Sequence, residues 1–486
     1  MYGIPFIVLG NLSGNAIALG IYVMKAAGYT DDNLPKGPVV GIAIVALTLA
    51  ASLHIFSRRG GILVNDFFGI CKIGLLIALI IIGFAKANVP ARDENFGPKR
   101  FDTQRSDTTS YINALMYVMY AYSGAEQPFY VLSEAKSPRK IYPKYTSFAL
   151  VLATVLFVLL NAAYFCAVRK SALLSGGDYE NASDLATVFL QSIFGHNAGR
   201  AMAAIIALSI MGNIVVMTFT ASRVKQEIAK EGILPYSLVI MSGKTTPWAW
   251  LKARFSARER QSITDNRNFG VNQGLMRRAS TAVPIDLEHH QEQTPMAALA
   301  LHWSSSVFLV VITSMLKPAD SYAVLVSIYS YTLVTLVGFI ISGSLLYMKF
   351  SPSWEWSKHA NFQPYKWISP VPALVYFIAC GFLLFGSLNK PAKDSPFGRS
   401  VPWIVAPAVA LSTPFWGLAW WLALKFIERQ RRRVLVVRRA PLIVQDERYP
   451  DQYYQKAELV EHEWHIRARK TRTRDTDSEL EDIPLR

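Results

Sequence analysis

Charge is scarce in this sequence. Asp, Glu, Lys and Arg make up 17% of its 486 residues, against about 25% in ordinary soluble proteins. The shortage is concentrated in stretches of about 20 residues that are nearly free of charge, with the charged residues crowded between them. Cysteine is scarce too. Cys71, Cys166 and Cys380 form no CxxC pair and no metal-ligand spacing, which argues against a disulfide framework or a zinc site. All three lie in apolar runs and read as small buried hydrophobes. Catalytic signatures are missing as well: no HExxH, no GxSxG and no Gly-rich phosphate loop. The eight histidines are scattered, with His54 and His302 isolated near the ends of apolar runs and His289-His290 in a polar loop. An enzyme, a cofactor and a bound metal are therefore not expected. No basic segment precedes the first apolar run, so it does not read as a cleavable signal peptide.

Long apolar runs are abundant. Ten candidate spans cover residues 4–24, 39–56, 67–84, 112–131, 147–168, 201–222, 297–315, 322–348, 370–388 and 401–426. Runs of this length match the roughly 30 Å of hydrocarbon in a bilayer. Inside lipid every backbone N–H and C=O must be bonded within the segment, so each run has to be helical. A soluble helix would show an apolar stripe and a polar face, whereas these runs are apolar all round. Residues 184–196 are apolar but short and read as a re-entrant or interfacial piece. The spacing of Gly10, Gly14 and Ala18 suits close helix packing.

The net charge of +16 lies mainly in the segment 223–296 and in the tail after Phe426. In a membrane protein that marks cytoplasmic segments rather than nucleic-acid binding. The chain thus divides into a transmembrane domain, 1–430, with a cytoplasmic loop at 223–296, and a basic cytoplasmic tail, 431–486, expected to lack stable structure. The loop is expected to be mobile around 244–294 and holds Arg277-Arg278-Ala279-Ser280, the form of a phosphorylation motif. Asn181-Ala182-Ser183 forms a glycosylation sequon in an outer loop. This orientation puts the N-terminus inside. Met1 then lies at the membrane edge, which leads to the expectation that an even number of helices precedes it.

Two intramembrane features could carry chemistry. The fourth span contains Tyr120-Ala121-Tyr122-Ser123-Gly124-Ala125-Glu126-Gln127-Pro128. Gly and Pro are poor helix-interior residues, and a charge at the bilayer centre costs at least about 2.5–3.5 kcal/mol. A broken helix accounts for all three, and its freed N–H groups near Ser123, Gly124 and Ala125 could bind a carboxylate. The alternative is a proline kink with Glu126 bonded to a neighbouring helix. The other feature is Lys72, roughly 10 Å into the third span at 1.5 Å per residue. It either snorkels to the interface or acts as a fixed cation between helices.

Three motifs in this order resemble the amino acid–polyamine–organocation superfamily, with likeness to the L-type amino acid transporters and the fungal high-affinity methionine permeases. Tyr120-Ala121-Tyr122-Ser123-Gly124, followed by Tyr130-Val131 and Glu134, is similar to that family's discontinuous sixth helix. Asp66 and Lys72 are similar to the start of its fifth, where lysine occupies a former sodium position. Ser222-Arg223, then Ala229-Lys230-Glu231-Gly232 and Leu234-Pro235, is similar to the end of its eighth helix. The likeness covers about 1–430.

The resemblance implies an all-α, polytopic LeuT-type bundle with an inverted five-helix repeat, of which about ten helices are present, and alternating access. It implies an L-amino acid substrate. Tyr120, Ser123, Gly124, Ala125 and Glu126 would form the substrate site, with Ser123 and Gly124 binding the carboxylate or amine and Tyr120 gating it. Lys72 would serve ion coupling. The first span here would be the family's third, so the first two helices, one carrying half of the substrate cradle, are expected to be missing. Glu126 departs from the neutral residue usual at its position. The expected function is proton-coupled uptake of neutral, methionine-like amino acids at the plasma membrane. The alternative is a non-transporting nutrient sensor or a truncated remnant.

Overall fold

The computed structural model describes residues 3–10, 13–98, 108–134, 138–171, 184–255, 293–354, 370–390, 401–445 and 453–466. The phosphorylation-like motif at 277–280 and the sequon at 181–183 lie outside the described residues.

The apolar segments fold as helices. The first span is α1 (Gly3–Leu9) and α2 (Ser13–Ala26), followed by α3 (Lys36–Phe56), α4 (Arg58–Ala85), the short α5 (Val89–Phe96) and α6 (Thr108–Ala121). After a 3-10 segment, Gln127–Glu134, come α7 (Pro138–Ala167), α8 (Leu185–Phe194), α9 (His196–Lys230), α10 (Ser237–Met241) and α11 (Pro247–Phe255). Then α12 (Met296–Thr313) leads to α13 (Pro318–Tyr329), which runs through a π-helical stretch, Ser330–Leu336, into α14 (Val337–Phe350); α15 (Pro370–Gly386) and α16 (Val405–Arg431) follow. Among the described residues, eight helical segments are long and apolar enough to cross a membrane. Of the two remaining expected spans, α15 is apolar but has 17 residues, about 25 Å at 1.5 Å per residue. The other, 112–131, is interrupted. The protein is an all-α, multi-pass membrane bundle.

Helix limits follow from local chemistry. Ser57 caps α4 by accepting from Gly60 N–H at 3.0 Å, and Asp184 caps α8 by accepting from Thr187 N–H at 2.8 Å, each satisfying a donor that the first turn leaves open. Gly232, at φ +69°, ends α9 in the left-handed conformation that costs a glycine least.

The core forms around α2, α3 and α9. Buried Ala16, Ile17, Leu47, Ala50, Ile214 and Val215 belong to one cluster. Gly14 sits against Val326 of α13, and Gly20 against the Val39 carbonyl of α3; a side chain at either position would push the helices apart. The outer helix α4 is the opposite case. Leu63 and Ile70 are each 73% exposed, surface that only lipid can cover at low cost. The expectation that all three cysteines are buried fails here: Cys380 is buried, Cys166 half-buried and Cys71 exposed on α4. An apolar run fixes neither which face of a lipid-facing helix turns inward nor which turns out.

The expectation of an unstructured tail also needs correcting. Arg433–Gln445 (β3) and Tyr453–Ile466 (β4) pair as an antiparallel hairpin. Its runs Val434-Leu435-Val436-Val437 and Leu442-Ile443-Val444 favour strand, a preference masked by the surrounding charges. The hairpin docks on the end of α9. His462 Nε2–H donates to the Lys230 carbonyl at 2.8 Å, Lys230 pairs with Glu458 at 3.1 Å, and Arg439 pairs with Glu231 at 2.5 Å. The smaller strands β1 (Lys244–Thr245) and β2 (Gln293–Thr294) pair antiparallel.

Candidate functional site: a helix break facing a neutral cavity

The fourth span breaks where glycine and proline predict. α6 stops at Ala121, and residues 122–126 form turns before the 3-10 segment begins. Gly124 has φ +111°, a conformation that L side chains rarely adopt. Pro128 brings no N–H to continue a helical ladder. The turns are held locally: Ser123 N–H donates to the Tyr120 carbonyl at 2.9 Å, and Gln127 N–H to the Gly124 carbonyl at 3.0 Å.

Glu126 accounts for its own presence in the membrane. Its Oε2 accepts from Gly124 N–H at 2.8 Å, and its Oε1 accepts from Gln127 Nε2–H at 3.0 Å. Both contacts lie within the break rather than on a neighbouring helix. Gln127 is buried and tied to α9, because Thr220 Oγ1–H donates to Gln127 Oε1. The break is thereby fastened to the longest helix of the bundle.

Beside the break lies a cavity of about 960 Å³, at the upper end of the usual range for small-molecule sites. Tyr120, Ser123, Gly124 and Gln127 line it from the break. Asn15 and Tyr22 line it from α2, His54 from α3, Asn213 and Thr220 from α9, and Tyr322 and Tyr329 from α13. Tyr120 is fixed by donating its hydroxyl to Asn15 Oδ1 at 2.9 Å, and it meets the Tyr329 ring edge-on at 6.4 Å. Among the described residues lining the cavity, none is Asp, Glu, Lys or Arg. The wall offers amides, hydroxyls and apolar surface, and so matches a ligand with no charged side chain.

The expected site residues therefore separate. Tyr120, Ser123 and Gly124 face the cavity; Ala125 and Glu126 do not. Lys72 stands behind the wall and donates from Nζ to Asn213 Oδ1 at 2.5 Å, reaching across to α9 instead of snorkelling. Asn15, His54, Asn213, Gln127 and Thr220 were not assigned to the site from the sequence. Their signal was available, since a polar side chain inside an apolar span marks a functional position by default. Among the described residues no group of three or more His, Cys, Asp or Glu gathers to hold a metal.

A multi-pass bundle with a broken helix facing a neutral, ligand-sized cavity has the form of a membrane permease. The family model for amino acid permeases matches residues 2–411, and the chain belongs to that family. It is 28% identical over 248 residues to the high-affinity methionine permease of Saccharomyces cerevisiae, a match covering 50% of this chain and 42% of the relative. It is 27% identical over 241 residues to the low-affinity methionine permease of the same yeast, covering 48% and 42%. It is 27% identical over 233 residues to the human cystine/glutamate transporter, covering 48% and 44%. The chain spans less than half the length of these relatives. They are permeases and transporters rather than enzymes.

Proposed function

We propose that the protein carries neutral L-amino acids of the methionine type across the plasma membrane by alternating access, with a proton as the coupling ion. The observation behind this reading is the neutral cavity against the helix break. A zwitterion needs hydrogen-bonding groups for its two charges and, for a thioether or aliphatic side chain, apolar wall. Ser123 and Gly124 would receive the carboxylate or amine. The apolar lining, including Met217, Phe219 and Ile210, would take the side chain. Lys72 would act as a fixed cation that keeps Asn213 in place. The two yeast methionine permeases support the substrate class.

The test is uptake of labelled methionine by cells lacking their own methionine permeases and expressing the full-length protein. Saturable uptake, competed by neutral amino acids more strongly than by acidic or basic ones, is the expected result. Binding without uptake would transfer the site to the nutrient-sensor reading, and absence of both would end the amino-acid assignment.

A further inference from the structure

A second polar group, outside the cavity lining, is enclosed between α9 and α12. Lys225 of α9 is completely buried, 0% exposed, and His302 of α12 is 2% exposed. Lys225 Nζ donates to Ser305 Oγ at 2.8 Å and lies 3.3 Å from His302 Nδ1. The Ser305 and Ser306 hydroxyls both donate to the His302 carbonyl, at 3.0 and 2.8 Å. Ser305 Oγ therefore keeps its lone pairs for the lysine. Among the described residues, no carboxylate pairs with Lys225.

Counting hydrogens defines what this group can do. An ammonium carries three N–H donors; an amine carries two and a lone pair. The two acceptors around Nζ match the amine, and among the described residues the third hydrogen of an ammonium has no acceptor. A structural salt bridge would have supplied an acid, and none is present among the described residues. The arrangement suits a nitrogen that gains and loses one proton.

The cavity wall carries a base of its own. His54 lines the cavity wall from α3. Its Nε2 lies 2.8 Å from the Val215 carbonyl, which can only accept, so the proton sits on Nε2. Nδ1 is left with its lone pair, and that buried atom has no partner. His54 is within electrostatic reach of His302, on helices that pack together.

Several other charged groups around α9 have contacts of their own. Arg223 lies over the Phe219 ring, which in turn packs on His54. Glu227 pairs with Lys230 and Arg439. Lys72 of α4 engages Asn213, about 18 Å back along α9 at 1.5 Å per residue. Lys25 of α2 pairs with Asp31. α1, α8 and α10, which also pack on α9, contribute no ionisable side chain.

We propose that Lys225, with His302 and Ser305, binds the proton that travels with the substrate, reached from the cavity by way of His54. Loading adds one proton to the Nζ lone pair, unloading removes it, and no other bond forms or breaks. The proposal rests on the transport reading above and leaves Lys72 as the fixed cation beside Asn213.

The test uses the full-length protein in proteoliposomes, as native and as Lys225→Gln and His302→Gln. With one proton per substrate, an inward gradient of one pH unit raises accumulation about tenfold. The native protein should show that response. Both variants should lose it while still exchanging labelled substrate in counterflow, which demonstrates that they are folded. A tenfold response retained in Lys225→Gln overturns the proposal. Native uptake that ignores the gradient also overturns it, and leaves the transport reading intact. If the native protein takes up no amino acid, the transport reading falls, and acid–base titration of purified protein decides the proton site. One titrating proton fewer in Lys225→Gln than in the native protein sustains the site, and equal counts overturn it.

Discussion

The fourth span and α9 both carry polar residues through an apolar core, yet they respond in opposite ways. α9 includes Asn213, Thr218, Thr220, Ser222, Arg223 and Lys225 and remains helical from His196 to Lys230. The fourth span stops at Ala121 and resumes as a 3-10 segment at Gln127. Polarity therefore does not break the helix. In α9 the hydroxyls fold back onto their own helix: Thr218 Oγ1–H donates to the Ile214 carbonyl at 2.7 Å, and Ser222 Oγ–H to the Phe219 carbonyl at 2.6 Å. The fourth span has a residue without a Cβ at 124 and one without an N–H at 128. Loss of steric restraint and loss of a donor open the backbone, and Glu126 then takes up one of the freed N–H groups.

Three substitutions sharpen this contrast, beginning with the largest effect. Lys72→Gln removes the cation that holds Asn213 of the continuous helix. Coupled uptake should be abolished while the protein still reaches the membrane, as read by transport alongside surface labelling. Unchanged uptake would remove Lys72 from the coupling machinery.

Gly124→Val places a β-branched side chain at φ +111°. A strained backbone of this kind costs about 1–3 kcal/mol, or roughly 5–150-fold in kcat/KM. Uptake kinetics should fall within that range. If the variant matched the native protein, the left-handed turn at 124 would be irrelevant to transport, and the break would differ from α9 in shape only.

Glu126→Gln should have the smallest effect. The amide has one acceptor oxygen, so it keeps either the Gly124 N–H or the Gln127 amide but not both. The expected outcome is a changed substrate range or pH profile at similar maximal rate. Identical profiles in competition and pH assays would reduce Glu126 to a packing residue of the break.

Much of the fold was legible from the residues because a bilayer leaves few options. The apolar runs became helix, apart from the break in the fourth, with limits shifted where capping residues lay outside the apolar stretch. α4 is an example: it begins at Arg58, well before the apolar core of its run, because Ser57 caps it. The tail was misread because charge concealed a β-branched run. At the site, Tyr120, Ser123 and Gly124 were legible as a local irregularity in one span. Ala125 and Glu126 were carried along with them and turned out not to face the cavity.

By itself, the sequence determined that this chain is helical, that it lives in a membrane, and where one helix opens. Those outcomes depend on hydropathy over about 20 residues and on the local chemistry of glycine and proline, which act within a single segment. Tertiary structure alone decided which polar side chains share a space. Gln127 and Thr220 are 93 positions apart, Lys72 and Asn213 are 141 apart, and Lys225 and His302 are 77 apart. Their meeting depends on how each helix is rotated and which neighbour it packs against. In lipid that is set by small residues and interhelical hydrogen bonds rather than by the hydrophobic pattern.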